Sequence, residues 1–461
     1  MKKIIATTVF SILLSCSTTM AAEDHPPYQY PKQAEVMKTL QEWQDWKFGL
    51  FIHWGTYSQW GIVESWSLCP EDRSFTSVRP HDKSYPEYVK EYENLKTTFN
   101  PDKFNPSKWA DAAKDAGMKY VVFTTKHHDG FNMYDTKFTD YKITDKDCPY
   151  SQNKNADITK ALFDAFRAKG LKTGAYYSIS DWHCNDYWWD YFPPQGRFIN
   201  YSIRKYPARW KRLNDFIDNQ LNELTSKYGK LEMLWFDLCD VSNEGAVDWP
   251  RFEKTIRGNQ PGAMMVARHQ YNIYENYRTP EQKIPEKALD YPWETCMTMA
   301  DQWSYKPNDN YKSTYQIIQF LVQIVSRGGN FLLNVGPGPD GEIDPTAYQR
   351  LKEIGKWMKV NGEAIYETKP IEPYKETKLA FTAKGNQVYA FYLPIENEKK
   401  IPAKVAIETM CPVKGSEVYL LGYNKPLKWE PNGKGIIIDI PESLQKSPPC
   451  EHAWAFKLKM K

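Results

Sequence analysis

Two carboxylates stand in short apolar runs. Asp237 closes the run LEMLWFD, and Glu294 lies in WETCMTM. Asp is depleted in strands, and a buried charge is costly unless paired. Each residue therefore needs a cap, an ion pair or a chemical role. As a pair they suit glycoside cleavage, in which one carboxyl stays ionised as nucleophile while the other keeps a proton for the leaving oxygen. Hydrogen bonds and nearby cations favour the ionised form at Asp237. Desolvation by Trp293 favours the protonated form at Glu294; a structural ion pair is its plainer reading.

Other polar residues end similar runs: His53 after FGLFI, His127 and His128 after KYVVFTTK, Tyr176 and Tyr177 in KTGAYYSIS, Arg268 and His269 after GAMMVA, and Asn334 in FLLNVG. Neighbours in a regular strand point to opposite faces, so a shared role for His127 and His128 requires irregular backbone at the strand end. His53, the paired histidines and Asp237 could build a metal site or could hydrogen-bond sugar hydroxyls. No HxH or HExxH spacing supports metal, and hydroxyl binding is the preferred role.

The elements that carry these residues alternate. NPSKWADAAKDAGM opens on Asn-Pro and stops at Gly117, ITKALFDAFRAKG closes on Gly170, and PARWKRLNDFIDNQLNELTSKYG runs from Pro207 to Gly229. These are helix start and stop signals. Two further helices are predicted at YKSTYQIIQFLVQIVSRGG and PTAYQRLKEIGKWMKVNG, and a first one at AEVMKTLQEWQDW. About seven strand candidates interleave with them before residue 340. Strand and helix in alternation predict parallel βα units, and a (β/α)8-like barrel fits better than a doubly wound sheet, whose Gly-rich fingerprint is missing after the first strand. In a barrel the chemistry gathers at the C-terminal strand ends. Beyond residue 368 short alternating runs such as NQVYAFYLP and HAWAFKLKM predict an antiparallel β-sandwich. The expected organisation is a targeting segment over 1–22, a barrel over 23–367 and a sandwich over 368–461.

Lys2 and Lys3 followed by IIATTVFSILL and small residues to TMAAED read as a secretory signal, so a secreted or periplasmic protein is expected, with lipidation at Cys16 the alternative. No later run is apolar enough to span a bilayer. Sixty Lys and Arg against 57 Asp and Glu give no case for nucleic acid. Seven of the eight cysteines lie beyond the targeting segment, and the only pairing suggested is Cys411 with Cys450. Trp and Tyr are abundant, 17 and 31, and their faces suit stacking on sugars as well as core packing.

FGLFIHWGTYS, KYVVFTTKHHDGF, LWFD, WETCMTM, GGNFLLNVGPGPDG and KWMKVNGEAIY, in this order, resemble the α-L-fucosidases of glycoside hydrolase family 29 over most of residues 40 to 368. The resemblance implies a barrel followed by a β-sandwich, retention of configuration, a fucosylated glycan as substrate, and neither metal nor cofactor. It puts the nucleophile on Asp237 and the acid/base on Glu294, with Glu64 as the rival. Sugar contacts fall on His53 and adjacent Trp54, Glu64, Trp66, His127, His128, Tyr177 (Tyr176 being the alternative) and Arg268. Trp303 or Trp66 is expected to wall the fucose methyl. Leu238 stands where the family often has Gly. A related α-L-glycosidase, such as an α-L-galactosidase, and a non-catalytic fucose-binding protein are the alternative readings.

Overall fold

The computed structural model describes residues 26–71, 82–268 and 270–460. The targeting segment, Cys16 and His269 lie outside these residues. Seven parallel strands form one sheet: β1 (Phe48–Ile52), β2 (Tyr120–Lys126), β3 (Lys172–Ser178), β4 (Met233–Asp237), β5 (Met264–Ala267), β6 (Glu294–Thr298) and β7 (Asn330–Val335). Their order is β5-β4-β3-β2-β1-β7-β6. The edges β5 and β6 are joined through the stretch 276–278. There Asn276 N–H donates to Met265 O, and Glu294 N–H donates to Arg278 O. That stretch fills the eighth position of a (β/α)8-like barrel.

All but one of the strand residues are buried, as expected for a parallel sheet covered on both faces. Alternation divides them. Phe51, Val122, Tyr176, Met233, Trp235, Val266, Cys296 and Leu332 pack together inside the barrel. Leu50, Val121, Ala175, Leu234 and Leu333 belong to the outer core with the helices.

The helices obey their local signals. In α3 (Pro106–Asp115) the Asn105 side chain accepts from Lys108 N–H, and Gly117 beyond its end has φ 87°, a left-handed C-terminal stop suited to glycine. In α4 (Ile158–Ala168) Asp157 caps in the same way, and α5 (Pro207–Lys227) begins on proline. In α7 (Thr314–Ser326) Ser313 and Gln316 form a capping box. Asp344 caps α8 (Pro345–Asn361). The first helix, α1 (Ala34–Trp46), closes the N-terminal end of the barrel: Val36, Leu40 and Trp43 join the interior cluster, and Trp43 stacks on Tyr277 at 4.1 Å. Two helices escaped the sequence reading, α2 (Tyr85–Asn94) and α6 (Trp249–Asn259).

From Lys369 the chain is antiparallel. A five-stranded sheet contains β8 (Lys369–Glu376), β9 (Leu379–Lys384), β10 (Gln387–Tyr392), β12 (Tyr419–Leu420) and β15 (Trp454–Lys459). A three-stranded sheet contains β11 (Lys404–Ile407), β13 (Trp429–Asn432) and β14 (Gly435–Asp439). Their shared core includes Phe381, Ile407, Ile436, Ile438 and Phe456, which makes a β-sandwich. The larger sheet seats on α7 and α8. Trp357 stacks on Phe391 and donates to Ala453 O, and Tyr315 donates to Pro394 O. Cys411 and Cys450 do not pair; both are free. Cys450 is engaged instead with Ala453 O and the Asn361 side chain, while Cys411 is exposed on a loop.

Candidate active site

A cavity of about 400 Å³ opens at the C-terminal ends of the strands, lined by residues that include His53, Glu64, Trp66, His127, Tyr176, Trp235, Asp237, Arg268, Glu281 and Trp303. Asp237 ends β4, and Trp235 shares its inward face two residues earlier. Burial opposes ionisation of Asp237. The Arg268 guanidinium at 3.0 Å, the Tyr176 hydroxyl at 2.9 Å and the Leu238 N–H at 2.8 Å outweigh that and hold its pKa at about 2. Leu238 pays for this geometry with a φ of 46°, a region that suits glycine and is strained for a branched side chain.

Arg268 grips two carboxylates at once. Its Nη1 holds Asp237, and its Nη2 holds Glu281 in the loop after β5. Glu281 is the more accessible of the two, with a side-chain exposure of 28% against 10% for Asp237. Glu64 lies deeper, at 2% exposure, and accepts Ser304 N–H at 2.8 Å. Burial lifts its pKa to about 7.

His53 and His127 line the cavity, and His128 is buried behind its wall beside Asp237. His53 lies within the barrel next to Phe51, with Nδ1 2.6 Å from Asn334 Oδ1. β2 shifts register between Thr124 and Lys126, and the chain then turns. Beyond the end of β2 the rings of His127 and His128 lie 4.2 Å apart. His127 stacks on Tyr176, and His128 Nε2 stands 3.8 Å from Asp237 Oδ2. Burial pushes the pKa of His53 and His128 down to about 4 and carries His127 well below its usual range. Trp66 is covered by Arg197, which Glu71 clamps through two hydrogen bonds. Phe51, Val63, Trp235, Cys296 and Trp303 supply apolar wall.

Three predicted residues lie elsewhere. Glu294 opens β6 instead of ending it, and it faces the barrel floor above α1. Tyr120 Oη at 2.5 Å, Trp235 Nε1 at 3.2 Å and Tyr277 Oη at 3.4 Å donate to it, and it does not line the cavity. Burial raises its pKa to about 7 against those donors. Tyr177 points outward from β3, accepting from Lys126 Nζ and donating to Gln220 Oε1; Tyr176 takes the inward place. Trp54 packs against Phe99, Phe104 and Trp109 and donates to Gly338 O, in the outer core. Conversely, the sequence reading missed Trp235, Arg197 and Glu281. The period of two along β4 pointed to Trp235; nothing local pointed to Glu281. Among the described residues no cluster of three or more His, Cys, Asp or Glu side chains is placed to hold a metal ion, and no helix is long and apolar enough to cross a membrane.

Paired carboxylates on a shared Arg and aromatic walls at the C-terminal strand ends of a barrel suit the chemistry of a glycoside hydrolase. Comparison with known proteins narrows the class. An alpha-L-fucosidase family profile matches residues 15–363, and an alpha-L-fucosidase C-terminal domain profile matches residues 374–459. The chain is 31% identical to the tissue alpha-L-fucosidase of Bos taurus, over 96% of this chain and 93% of that one. It is also 31% identical to the plasma alpha-L-fucosidase of Homo sapiens, over 91% and 90%. Among solved structures, alpha-L-fucosidase isoenzyme 1 from Paenibacillus thiaminolyticus superposes with a TM-score of 0.76 at 31% identity, covering 93% of this chain and 100% of that one. A GH29 alpha-L-fucosidase from Bacteroides thetaiotaomicron, trapped as a covalent intermediate with 2-fluoro-fucosyl fluoride, superposes with a TM-score of 0.73 at 25% identity, covering 94% and 98%. The chain belongs to the α-L-fucosidases of glycoside hydrolase family 29.

Proposed function

We propose that the protein is a retaining, exo-acting α-L-fucosidase that removes terminal α-L-fucosyl residues from glycans, with Asp237 as nucleophile and Glu281 as acid/base. The observation that carries the reading is the grip of one guanidinium, Arg268, on both carboxylates. One guanidinium between them brings the two carboxyls together at the cavity, the pairing of nucleophile and acid/base that a retaining glycosidase needs. In an exo-acting pocket the glycosidic oxygen lies towards the mouth, and Glu281 is the accessible carboxyl of the pair. Glu64, enclosed beside Ser304, suits a sugar-hydroxyl contact.

Asp237 attacks the anomeric carbon as the C1–O bond breaks, and Glu281 gives its proton to the departing oxygen. Glu281 then takes a proton from water, whose oxygen attacks C1 and frees Asp237. His53, His127, His128 and Glu64 hold the sugar hydroxyls, and Trp303 with Phe51 faces the methyl at C5. The Lys2–Lys3 and apolar amino-terminal segment supports export from the cell.

Release of nitrophenol from p-nitrophenyl α-L-fucoside tests the reading. Turnover by the wild type, loss in Asp237→Ala, and azide-rescued loss in Glu281→Ala are expected. Rescue in Glu64→Ala in place of Glu281→Ala would move the acid/base to Glu64. Equal turnover of the α-L-galactoside would open the C5 pocket to CH2OH sugars. Fucose binding without any turnover would leave a binding protein.

A further inference from the structure

Each of the three site histidines is backed by one buried side chain at Nδ1, and that partner decides what Nε2 offers. A neutral imidazole carries one N–H and one lone pair, so fixing one nitrogen fixes the other. Behind His53, the Asn334 amide nitrogen donates to Trp303 O at 2.6 Å. A carbonyl only accepts, so the amide nitrogen must face Trp303 and Oδ1 must face His53 Nδ1, at 2.6 Å. Oδ1 also only accepts. Nδ1 therefore carries the hydrogen, and Nε2 presents a lone pair.

Behind His128, Ser178 Oγ lies 2.6 Å from both His128 Nδ1 and Ser180 O. The hydroxyl has one hydrogen, and only Ser180 O cannot supply one in return. Ser178 donates to Ser180 and accepts from His128 Nδ1–H, which leaves a lone pair on His128 Nε2 facing Asp237. Behind His127 the logic reverses. Ser65 Oγ already accepts Asp129 N–H at 3.0 Å and lies 2.6 Å from His127 Nδ1. Among its hydrogen bonds the imidazole is the one acceptor for the serine hydrogen, and a buried donor left unmade is costly. Ser65 donates to Nδ1, and His127 Nε2 carries N–H.

We infer that Asn334, Ser178 and Ser65 are positioning residues that fix His53 and His128 as hydrogen-bond acceptors and His127 as a donor at Nε2. The inference rests on the sugar-cleaving reading of the cavity and deepens it. The depressed pKa values of all three rings keep them neutral over the working pH range, so tautomer and not charge carries the pattern. Two acceptors demand hydroxyl hydrogens, and one donor demands a hydroxyl oxygen. A fluorine, methoxy or hydrogen in place of a hydroxyl that donates leaves a buried lone pair unmatched, which is how a polar site rejects a near-isostere.

The test is ring 15N spectroscopy on the full-length protein labelled with 15N-histidine, with resonances assigned through His53→Gln, His127→Gln and His128→Gln. The expected result near neutral pH is hydrogen on Nδ1 of His53 and His128 and on Nε2 of His127. The opposite tautomer at any of the three overturns the assignment of that residue's partner. Ser65→Ala should let the His127 hydrogen redistribute between both nitrogens and lower affinity for L-fucose about tenfold, the worth of one hydrogen bond. An unchanged His127 spectrum in Ser65→Ala also overturns the role given to Ser65. Because the spectra need no substrate, absent fucoside turnover with these tautomers in place would count against the fucosidase reading alone.

Discussion

Glu294→Gln separates a buried structural carboxyl from a catalytic one. The side chain is fully buried, and its pKa stands at about 7 against an ordinary 4.5. Between those values the native state keeps a proton that the unfolded chain has released, so stability falls as pH rises through the window. The stabilisation lost above pH 7 is on the order of 3 kcal/mol. Gln keeps the shape and removes the titration. Its oxygen can take the Trp235 and Tyr277 donors. Its amide can donate to the Tyr120 hydroxyl, which lies beside the Asn330 side chain, whose Oδ1 is otherwise without a partner. Urea unfolding at pH 5 and pH 8 should show the variant gaining on the wild type at the higher pH by up to about 3 kcal/mol. Its kcat on an aryl fucoside should stay within about tenfold, 1.4 kcal/mol of barrier. A loss beyond a hundredfold that azide restores would return the acid/base role to Glu294. An identical pH dependence in variant and wild type would refute the account of its burial.

Tyr176→Phe removes one hydrogen bond to the Asp237 carboxylate, worth about 1.5–3 kcal/mol. The acid limb of kcat/KM set by Asp237 should therefore move up by about one to two pH units, read from a pH–rate profile. Tyr177→Phe loses the contacts with Gln220 and Lys126 on the outer face. It should cost about 1–2 kcal/mol of stability with kcat unchanged, and a matching loss of kcat would place Tyr177 in the cavity after all. Cys411 is the one exposed free cysteine among the described residues, so an aromatic disulfide reagent should label it first in the native protein. Blocked labelling that a reductant restores would indicate a disulfide there.

The barrel was legible because parallel strands buried on both faces read as apolar runs, and because Asn-Pro, Pro and Gly punctuate the helices between them. α6 was not legible. Its only buried residues are Trp249, Phe252 and Ile256, too few to set a clear period in WPRFEKTIRGN. Asp237 could be found because an apolar run ends on it. Glu294 could not be placed, since a carboxyl within a short run marks either end of a strand, and only the pairing of Glu294 with Asn330 shows it to be the beginning. The choice between Tyr176 and Tyr177 turns on which face of β3 looks inward, and the register of Tyr176 with Trp235 decides it. Glu281 sits in a loop without periodicity, so only the fold brings it to Arg268.

The most direct measurement is mass analysis of the protein after reaction with 2-fluoro-fucosyl fluoride, followed by peptide mapping. A fluorofucosyl adduct of one-to-one stoichiometry on the peptide bearing Asp237, absent from Asp237→Asn, is the predicted result. An adduct on Glu64, Glu281 or Glu294, or inversion of configuration with no adduct in a protein that turns over fucosides, would contradict the assignment of Asp237 as the nucleophile of a retaining enzyme.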